Sequence, residues 1–266
     1  MELQVDGKKV FAATGGKPFD ASLPVVIFVH GAGMDHTVWA LQTRWFAWHG
    51  RSVLAVDLPG HGKSDGPALQ SIGEIGSWLI RLIEATDAAN AALVGHSMGA
   101  LASLSATATD GDRVSKLALL GVGAEMPVHP DLLAAARSND PAAQNLAADL
   151  IVSWGFGRPA HFGLNRAPGM WMQGGGRSLL ARGPDGVLGN DLAACDAYKN
   201  AVADAEKVTC PTLFVTADRD QMTPPKVSVS LVAAIAGSRT VQLSGAGHLM
   251  MIEKPDEALD ALISAL

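Results

Sequence analysis

Short segments that are apolar at every position recur along the chain, and each predicts a β-strand. Uninterrupted apolar runs are typical of a parallel sheet that is covered on both faces. The first residues predict a hairpin, because Asp6-Gly7 is a two-residue turn signal between two strand-like segments. The predicted buried strands are 25–29, 52–56, 91–94, 117–120, 212–215 and 240–243.

Helical patterns lie between most of these runs, at 73–85, 98–109, 224–236 and 255–265. Pro224 and Pro255 stand where the first turn of a helix tolerates proline. This alternation predicts an α/β fold with a mostly parallel, doubly wound sheet. Active sites of such folds gather at the carboxyl ends of the strands, so the residues that follow each run are the first candidates for chemistry.

The alternation stops near Gly123 and resumes near Val208. The segment between them is too long for a loop. It contains helix-like pieces at 131–138, 141–154 and 190–200, and its middle, 155–189, is rich in Gly and Pro. We therefore predict a core formed by 1–123 and 208–266, with an inserted, mainly helical cap at 124–207.

The motif G-H-S-M-G at 95–99 fits the pattern G-x-S-x-G. In this pattern a strand turns sharply into a helix, and a strained serine exposes its hydroxyl above the sheet. A strand-like run precedes the motif and an alanine-rich helical run follows it, which strengthens a pattern that is weak alone. Ser97 is thus a candidate nucleophile, and the backbone N–H of Met98 is a candidate donor to an oxyanion.

A serine nucleophile needs a base and an orienting carboxylate. His248 is the best-placed of the eight histidines, because it follows the final strand-like run in the flexible segment S-G-A-G-H. Asp220 lies beyond the strand at 212–215, with Asp218 as a near competitor in the same loop. Glu125, beyond the strand at 117–120, is a third candidate acid.

A second oxyanion donor is predicted in the segment H-G-A-G at 30–33. Small residues there let a backbone N–H approach a substrate, and we assign the donor to Ala32, with Gly33 as the alternative. His30 is interpreted as structural. The glycine-rich loop at 57–64 lacks the G-x-x-x-x-G-K-[ST] form of a phosphate-binding loop, so it is also interpreted as structural.

Five motifs occur together and in order: H-G at 30–31, D-L-P-G-H-G-K-S at 57–64, G-H-S-M-G at 95–99, D-x-x-x-P at 220–224 and G-A-G-H at 245–248. With this combination the chain resembles the α/β-hydrolase superfamily, in the branch with a helical cap, over nearly its whole length. The resemblance implies a carboxylesterase-like serine hydrolase with the triad Ser97, Asp220 and His248. It leaves the substrate open, because this fold hosts many reactions.

The serine separates this chain from epoxide and haloalkane hydrolases of the same fold, which use an aspartate at the position of Ser97. The enzyme classes that a serine at this position leaves open are esterases, lactonases, thioesterases, carbon–carbon bond hydrolases and cofactor-free haloperoxidases. We expect cleavage of a small ester through an acyl-enzyme, without a metal or an organic cofactor. The alternatives are a carbon–carbon bond hydrolase, a lactonase or a thioesterase, and a small-molecule receptor without turnover.

Side chains of the predicted cap allow two interpretations. The apolar ones either line a substrate pocket or pack the cap onto the core, and the pocket candidates are Trp154, Phe156, Trp171 and Met172. The arginines either bind a substrate carboxylate or lie in solvent, and they are Arg158, Arg166, Arg177 and Arg182.

The charge balance argues against nucleic acid and anionic membranes as partners. The chain of 266 residues has 20 basic and 26 acidic side chains, a net charge of −6, whereas both partners select for basic patches. The uncharged segment 88–109 is interpreted as strand, turn and helix rather than a membrane span. We therefore expect a small-molecule substrate.

The two cysteines, Cys195 and Cys210, are expected to be reduced thiols, because a chain of this size needs no disulfide. Their spacing fits no metal site. The first ten residues lack the pattern of a basic segment followed by an apolar one that marks a secretion signal. These observations predict a cytoplasmic protein.

Overall fold

A twisted sheet lies at the centre of the protein. The computed structural model describes residues 1–157 and 169–266, and of residues 169–171 it describes the backbone alone. Within these residues the sheet has eight strands in the order β1-β2-β4-β3-β5-β6-β7-β8. The β1–β2 and β2–β4 pairs are antiparallel, and the other five pairs are parallel. The strands are β1 Glu2–Val5, β2 Lys8–Ala13, β3 Val25–Val29, β4 Ser52–Val56, β5 Ala91–His96, β6 Val114–Leu120, β7 Thr212–Ala217 and β8 Arg239–Leu243.

Helices cover both faces of the sheet, which explains the uninterrupted apolar runs. Within β3, Val25, Ile27 and Val29 belong to one buried cluster, and Val26 and Phe28 belong to another on the opposite face. The helices of the core are α1 Ala40–Trp48, α2 Ile72–Ala85, α3 Met98–Thr109, α9 Val229–Ala234, α10 Met250–Glu253 and α11 Pro255–Ile263. Residues of α2, α3 and α9 pack into the first cluster, and residues of α1, α10 and α11 pack into the second.

Five helices follow β6 and precede β7: α4 Pro130–Arg137, α5 Pro141–Gly155, α6 Gly169–Ala181, α7 Val187–Ala197 and α8 Ala201–Ala205. Three of them share a small cluster of their own, formed by Leu132, Ala135, Ala136, Ala147, Ile151 and Leu192 of α4, α5 and α7. Ala201 and Ala205 of α8 instead pack into the first core cluster. We use the word cap below for α4–α7; the division at residues 123 and 208 stays a prediction.

The predicted α/β fold class is confirmed, and every predicted strand has a counterpart in the structure. The helix predicted over 224–236 is divided into a 3-10 turn, Pro225–Ser228, and α9. Four further α-helices of the described residues were not predicted: α1, α6, α8 and α10.

In α1 a polar residue is buried and an apolar one is exposed, the reverse of the usual pattern. Gln42 is fully buried, whereas Leu41 is 60% exposed. The Nε2 group of Gln42 donates to the carbonyl of Met251 at 2.9 Å, which compensates for the burial of that end of the amide. Helix α6 contains three consecutive glycines, which weaken a helix. A Cβ on Gly176 would lie 3.3 Å from the ring of Phe156, so close packing against α5 explains that glycine.

None of the helices within the described residues combines the length and the apolar character that a membrane crossing requires.

Candidate active site

Ser97 stands at the sharp junction between β5 and α3. Its backbone has φ 53° and ψ −116°, a region that side-chain-bearing residues avoid. The Ser97 N–H donates to the carbonyl of Leu120 at 2.9 Å, which holds the turn. A Cβ on Gly99 would lie 2.5 Å from the carbonyl oxygen of His30, so only glycine allows α3 to approach β3 this closely. The predicted strained serine turn is therefore present, at the carboxyl edge of the sheet.

His248 and Asp220 meet beside this edge. Nδ1 of His248 lies 2.8 Å from Oδ2 of Asp220, and both side chains are buried. An ionised carboxylate only accepts hydrogen bonds, so Nδ1 of His248 carries the proton and donates it. This leaves Nε2 as the nitrogen that can take a proton from a nucleophile.

The other two candidate acids are engaged elsewhere. Asp218 accepts hydrogen bonds from Ser244 Oγ at 3.1 Å and from the Gly245 N–H at 2.7 Å. Glu125 is 68% exposed and lies 3.6 Å from Lys199 Nζ. Among the three acids considered from the sequence, Asp220 alone contacts His248.

The environment of Asp220 keeps its carboxyl ionised. Oδ1 accepts the backbone N–H groups of Met222 at 2.9 Å and Thr223 at 2.8 Å, and Oδ2 accepts the Thr223 hydroxyl at 2.7 Å. Burial alone would raise the pKa of Asp220, but His248 and these hydrogen bonds outweigh it and hold the pKa well below its usual value.

Thr223 is a contributor that the sequence analysis missed. Its Oγ1 also lies 3.1 Å from Nδ1 of His248, so it contacts both members of the pair. The spacing from Asp220 to a threonine three residues later is typical of a turn in which the acidic side chain accepts local N–H groups. That spacing could have identified it.

Ser97 and His248 line the same cavity, of about 310 Å³. Among the hydrogen bonds of the described residues there is none between Ser97 Oγ and His248. Catalytic hydrogen bonds of ligand-free enzymes are often long and shorten when substrate binds, so this geometry is compatible with proton transfer in a complex.

Of the two proposed second oxyanion donors, Ala32 lies at the cavity and Gly33 is engaged elsewhere. Ala32 lines the cavity beside Ser97. The Gly33 N–H donates to Oδ2 of Asp191 at 2.8 Å, so it is unavailable to a substrate. Met98 begins α3, and the N–H groups of the first turn have no acceptor within the helix.

The wall of this cavity is mainly apolar. Among the described lining residues there is no Lys, Arg, Asp or Glu. The lining residues are Ala32, Met34, Ser97, Met126, Pro127, Val128, His129, Leu132, Ile151, Trp154, Gly155, Leu192, Cys195, Gln221, Met222, Thr223, His248 and Leu249. Such a wall suits a neutral, apolar group next to the polar atoms of Ser97 and His248.

The four pocket candidates lie in different places. Trp154 lines the cavity. Phe156 does not: it is 2% exposed and packs into the second core cluster. Met172 lines a neighbouring apolar cavity between α5 and α6. The side chain of Trp171 lies outside the described residues.

Two of the cap arginines are paired on the surface. Arg177 Nε lies 2.7 Å from Asp149, and Arg182 lies 3.2 Å from Asp35. Neither lines the cavity of Ser97. Arg158 and Arg166 lie outside the described residues.

The loop that carries His248 is attached to the end of α5. The carbonyl of Gly155 accepts the N–H groups of His248 at 2.7 Å and Leu249 at 3.2 Å. The carboxylate of Glu253 accepts the N–H groups of Gly247 at 2.9 Å and Gly157 at 3.0 Å. The sequence analysis missed Glu253, because nothing in the local pattern indicates a carboxylate that bridges two distant segments.

Two further buried histidines are neutral. Burial lowers the pKa of His96 to about 3 and that of His30 to about 4. Nε2 of His96 donates to the carbonyl of His248 at 2.8 Å, and Nε2 of His30 accepts the Leu58 N–H at 3.1 Å. Both therefore support backbone near the site.

Cys195 is a possible rival nucleophile, because it lines the cavity with Ser97. Burial raises the pKa of its thiol well above the ordinary value. The thiolate is the nucleophilic form of cysteine, so the environment of Cys195 opposes this role.

Asp35, His36 and Asp57 are close enough together to hold a metal ion. Asp57, however, already accepts hydrogen bonds from the backbone and ring of His36 and from the Lys63 N–H, at 2.8 to 2.9 Å. None of the three lines the cavity of Ser97.

Comparisons with known proteins agree with this architecture. A model of the Alpha/beta hydrolase family matches residues 26–261. The chain is similar to (E)-2-((N-methylformamido)methylene)succinate hydrolase of Acinetobacter baylyi, with 21% identity over 240 residues, 89% of this chain and 88% of that protein. It is similar in structure to the enol-lactonase from Burkholderia xenovorans LB400, with a TM-score of 0.86 and 23% identity over 99% of this chain and 98% of that one. A thermophilic esterase gives a TM-score of 0.79 and 26% identity over 99% and 95%.

Proposed function

The chain belongs to the Alpha/beta hydrolase family, and we propose that it is a serine hydrolase that cleaves small, neutral esters through an acyl-enzyme. The observation that carries this proposal is the contact between His248 Nδ1 and Asp220 Oδ2 at 2.8 Å, because His248 lines the same cavity as Ser97. A buried carboxylate that orients an imidazole, beside a serine on a strained turn, is the arrangement that activates a hydroxyl for acyl transfer.

In the first half of the reaction, Ser97 Oγ attacks the carbonyl carbon of the ester while Nε2 of His248 takes the hydroxyl proton. The carboxylate of Asp220 stabilises the imidazolium that forms. The carbonyl oxygen becomes an oxyanion, which the N–H groups of Ala32 and Met98 stabilise. The carbon–oxygen bond to the alcohol then breaks, and the imidazolium gives its proton to the departing alcohol.

In the second half, His248 takes a proton from water, and the hydroxide attacks the acyl group on Ser97. The same N–H groups stabilise the second oxyanion. When the bond between Ser97 Oγ and the acyl carbon breaks, the imidazolium returns its proton to Ser97. The products are one alcohol and one carboxylic acid, and water is the only co-reactant.

The choice of a neutral ester follows from the wall of the cavity. The Acinetobacter relative is named for a succinate, which is a dianion, whereas the described lining residues here contain no Lys or Arg. A buried carboxylate without a cationic partner is costly. The likeness to a thermophilic esterase at 26% identity also favours an ester.

A panel of p-nitrophenyl butyrate, a lactone, a thioester and a vinylogous diketone tests the proposal. Wild type, Ser97→Ala and Ser22→Ala are compared, the last being the same substitution in an exposed loop. We expect wild type to turn over the butyrate ester faster than the other three substrates. Ser97→Ala should lose this activity, and Ser22→Ala should keep it. Faster cleavage of the diketone by wild type would favour a carbon–carbon bond hydrolase. Binding without turnover would favour a receptor, and equal turnover by Ser97→Ala would exclude the serine mechanism.

A further inference from the structure

Asp191, on α7 of the cap, is 1% exposed and lies against two loops of the core. Its Oδ2 accepts a hydrogen bond from the Gly33 N–H and lies 2.8 Å from that nitrogen. The same oxygen lies 2.8 Å from Nε2 of His61. Gly33 follows Ala32, and His61 lies in the loop at 57–64. One cap carboxylate therefore joins the proposed oxyanion loop to a buried histidine.

The hydrogen-bond partners of His61 match a charged ring. Nδ1 lies 3.0 Å from the carbonyl oxygen of Pro59, and Nε2 lies 2.8 Å from the carboxylate of Asp191. A carbonyl and a carboxylate only accept hydrogen bonds, so with an Asp191 carboxylate both nitrogens donate. Only the imidazolium form of histidine has two N–H groups.

The surrounding charges agree with this assignment. Burial lowers the pKa of His61, but the hydrogen bond and charge of Asp191, with help from the Pro59 carbonyl and Asp57, outweigh burial and raise it. The neighbouring His30, whose ring centroid is 4.8 Å away, is neutral, with a pKa lowered to about 4 by burial and by His61. On the outer side, Asp35, His36, Lys63 and Arg182 share a surface cavity with His61.

We infer that Asp191 and His61 form a buried ion pair that positions the Ala32 N–H for the oxyanion. The inference rests on the proposed function, because it assigns a role to Ala32. A turn closed by the Met34 N–H on the Gly31 carbonyl at 3.2 Å contains Ala32 and Gly33. Asp191 holds the Gly33 N–H away from the cavity, which fixes the adjacent peptide. His61 supplies the opposite charge that a buried carboxylate needs as a partner.

The pair has a defined pH dependence. Because the pKa of His61 is raised in the folded protein, the ion pair is complete at low pH and is lost as pH rises through that pKa. Deprotonation of His61 removes one of its two N–H groups, so the ring loses its hydrogen bond to either the Pro59 carbonyl or the Asp191 carboxylate. Asp191 and His61 are positioning residues, since neither lines the cavity of Ser97.

Nuclear magnetic resonance of the wild-type protein tests the ion pair without any assay of activity. Long-range ¹H–¹⁵N correlation spectra distinguish an imidazolium from either neutral tautomer. We expect His61 to carry two N–H protons below its raised pKa and to lose one as pH rises through that pKa. A His61 ring that titrates at or below the ordinary pKa of histidine would overturn the inference, whatever the enzyme turns over.

Asp191→Asn tests the positioning role, because it keeps an oxygen acceptor for Gly33 and removes the charge. Asp149→Asn is the matched control, since Asp149 is an exposed cap acid paired with Arg177. We expect kcat for p-nitrophenyl butyrate to fall by about 10- to 100-fold in Asp191→Asn, with KM within about threefold, because small displacements of an oxyanion donor are costly. The control should match wild type.

The outcomes separate this inference from the proposed function. If wild type hydrolyses the ester and Asp191→Asn has the same kcat over the whole pH range, the positioning role is wrong and the proposed function stands. If wild type hydrolyses no ester, the proposed function and the positioning role both fail, and the spectra still decide the ion pair.

Asp191→Glu is the second variant, used if Asp191→Asn does not fold. It keeps the charge but moves the carboxylate, so it should also lower kcat without raising KM. An unchanged kcat in that variant would overturn the role.

Discussion

The carbonyl oxygen of Gly155 accepts the backbone N–H of His248 at 2.7 Å, so the last residue of the cap helix α5 holds the residue proposed as the base. Glu253 reinforces this contact by accepting the N–H groups of Gly247 and Gly157. The loop of His248 is therefore fixed by the cap as well as by Asp220. It follows that changes at the cap–core junction should affect catalysis without touching the substrate.

Glu253→Gln tests this junction. The amide keeps one oxygen acceptor but turns an NH₂ group toward the second backbone N–H, which loses its partner. An unsatisfied buried N–H costs about 1–3 kcal/mol of unfolding free energy, and we expect kcat to fall by about tenfold because the base is displaced. Urea unfolding and ester kinetics measure the two effects.

Glu257→Gln is the control for Glu253, because Glu257 is exposed on the next helix and its carboxylate pairs with the half-buried Lys254 at 3.0 Å. It should leave kcat and stability near the wild-type values. Equal effects of the two substitutions would show that Glu253 has no special role.

Asp220→Asn should abolish most of the activity. The asparagine keeps the shape of the side chain but no longer favours the proton on Nδ1 of His248, and it cannot stabilise the imidazolium. We expect kcat to fall by about 10⁴-fold with little change in KM. Asp218→Asn, two residues away, should retain activity, and a reversal of the two results would reassign the acid.

The stability of the protein should depend on Asp220 in acid. The folded-state pKa of this carboxyl is held well below its ordinary value by His248 and by its hydrogen bonds. Its contribution to stability is therefore complete above the unfolded-state pKa and is lost as pH falls through the folded-state value. The difference in unfolding free energy between wild type and Asp220→Asn should therefore be constant near neutrality and shrink in strong acid. Urea titrations over this range check the sign, and a difference that grows in acid would contradict it.

Trp154 and Phe156 should respond differently to alanine, although they are neighbours in sequence. Trp154 lines the cavity, so its loss should raise KM for p-nitrophenyl butyrate. Phe156 is buried in the core, and its removal should cost about 3–5 kcal/mol of unfolding free energy with little effect on KM. A wild-type KM in Trp154→Ala together with a raised KM in Phe156→Ala would contradict this. It would show that Phe156, and not Trp154, contacts the substrate.

The sheet and the strained turn at Ser97 were predictable because their patterns are local. All five positions of β3 are apolar since both faces of the strand are buried. Ser97 was identified because its strained turn demands a short, recognisable motif. Helix α1 was missed because Gln42 is buried by a contact with Met251, far away in the sequence, so no local periodicity reveals it.

The residues that orient the site were harder to predict. Asp218 and Asp220 lie two positions apart in one loop, and only the path of that loop decides which reaches His248. Glu253 and Asp191 act across the junction of cap and core, on backbone N–H groups that every residue type offers. No spacing of residue types encodes such contacts.

The nucleophile is tested most directly by peptide mapping after reaction with a fluorophosphonate, which forms a stable bond with an activated serine. The account predicts one phosphonyl group per chain, on Ser97, and loss of ester hydrolysis in proportion to labelling. Iodoacetamide should leave hydrolysis intact, because burial keeps the pKa of the Cys195 thiol raised. Full inactivation with the phosphonyl group on another residue, or with Ser97 unmodified, would contradict the account.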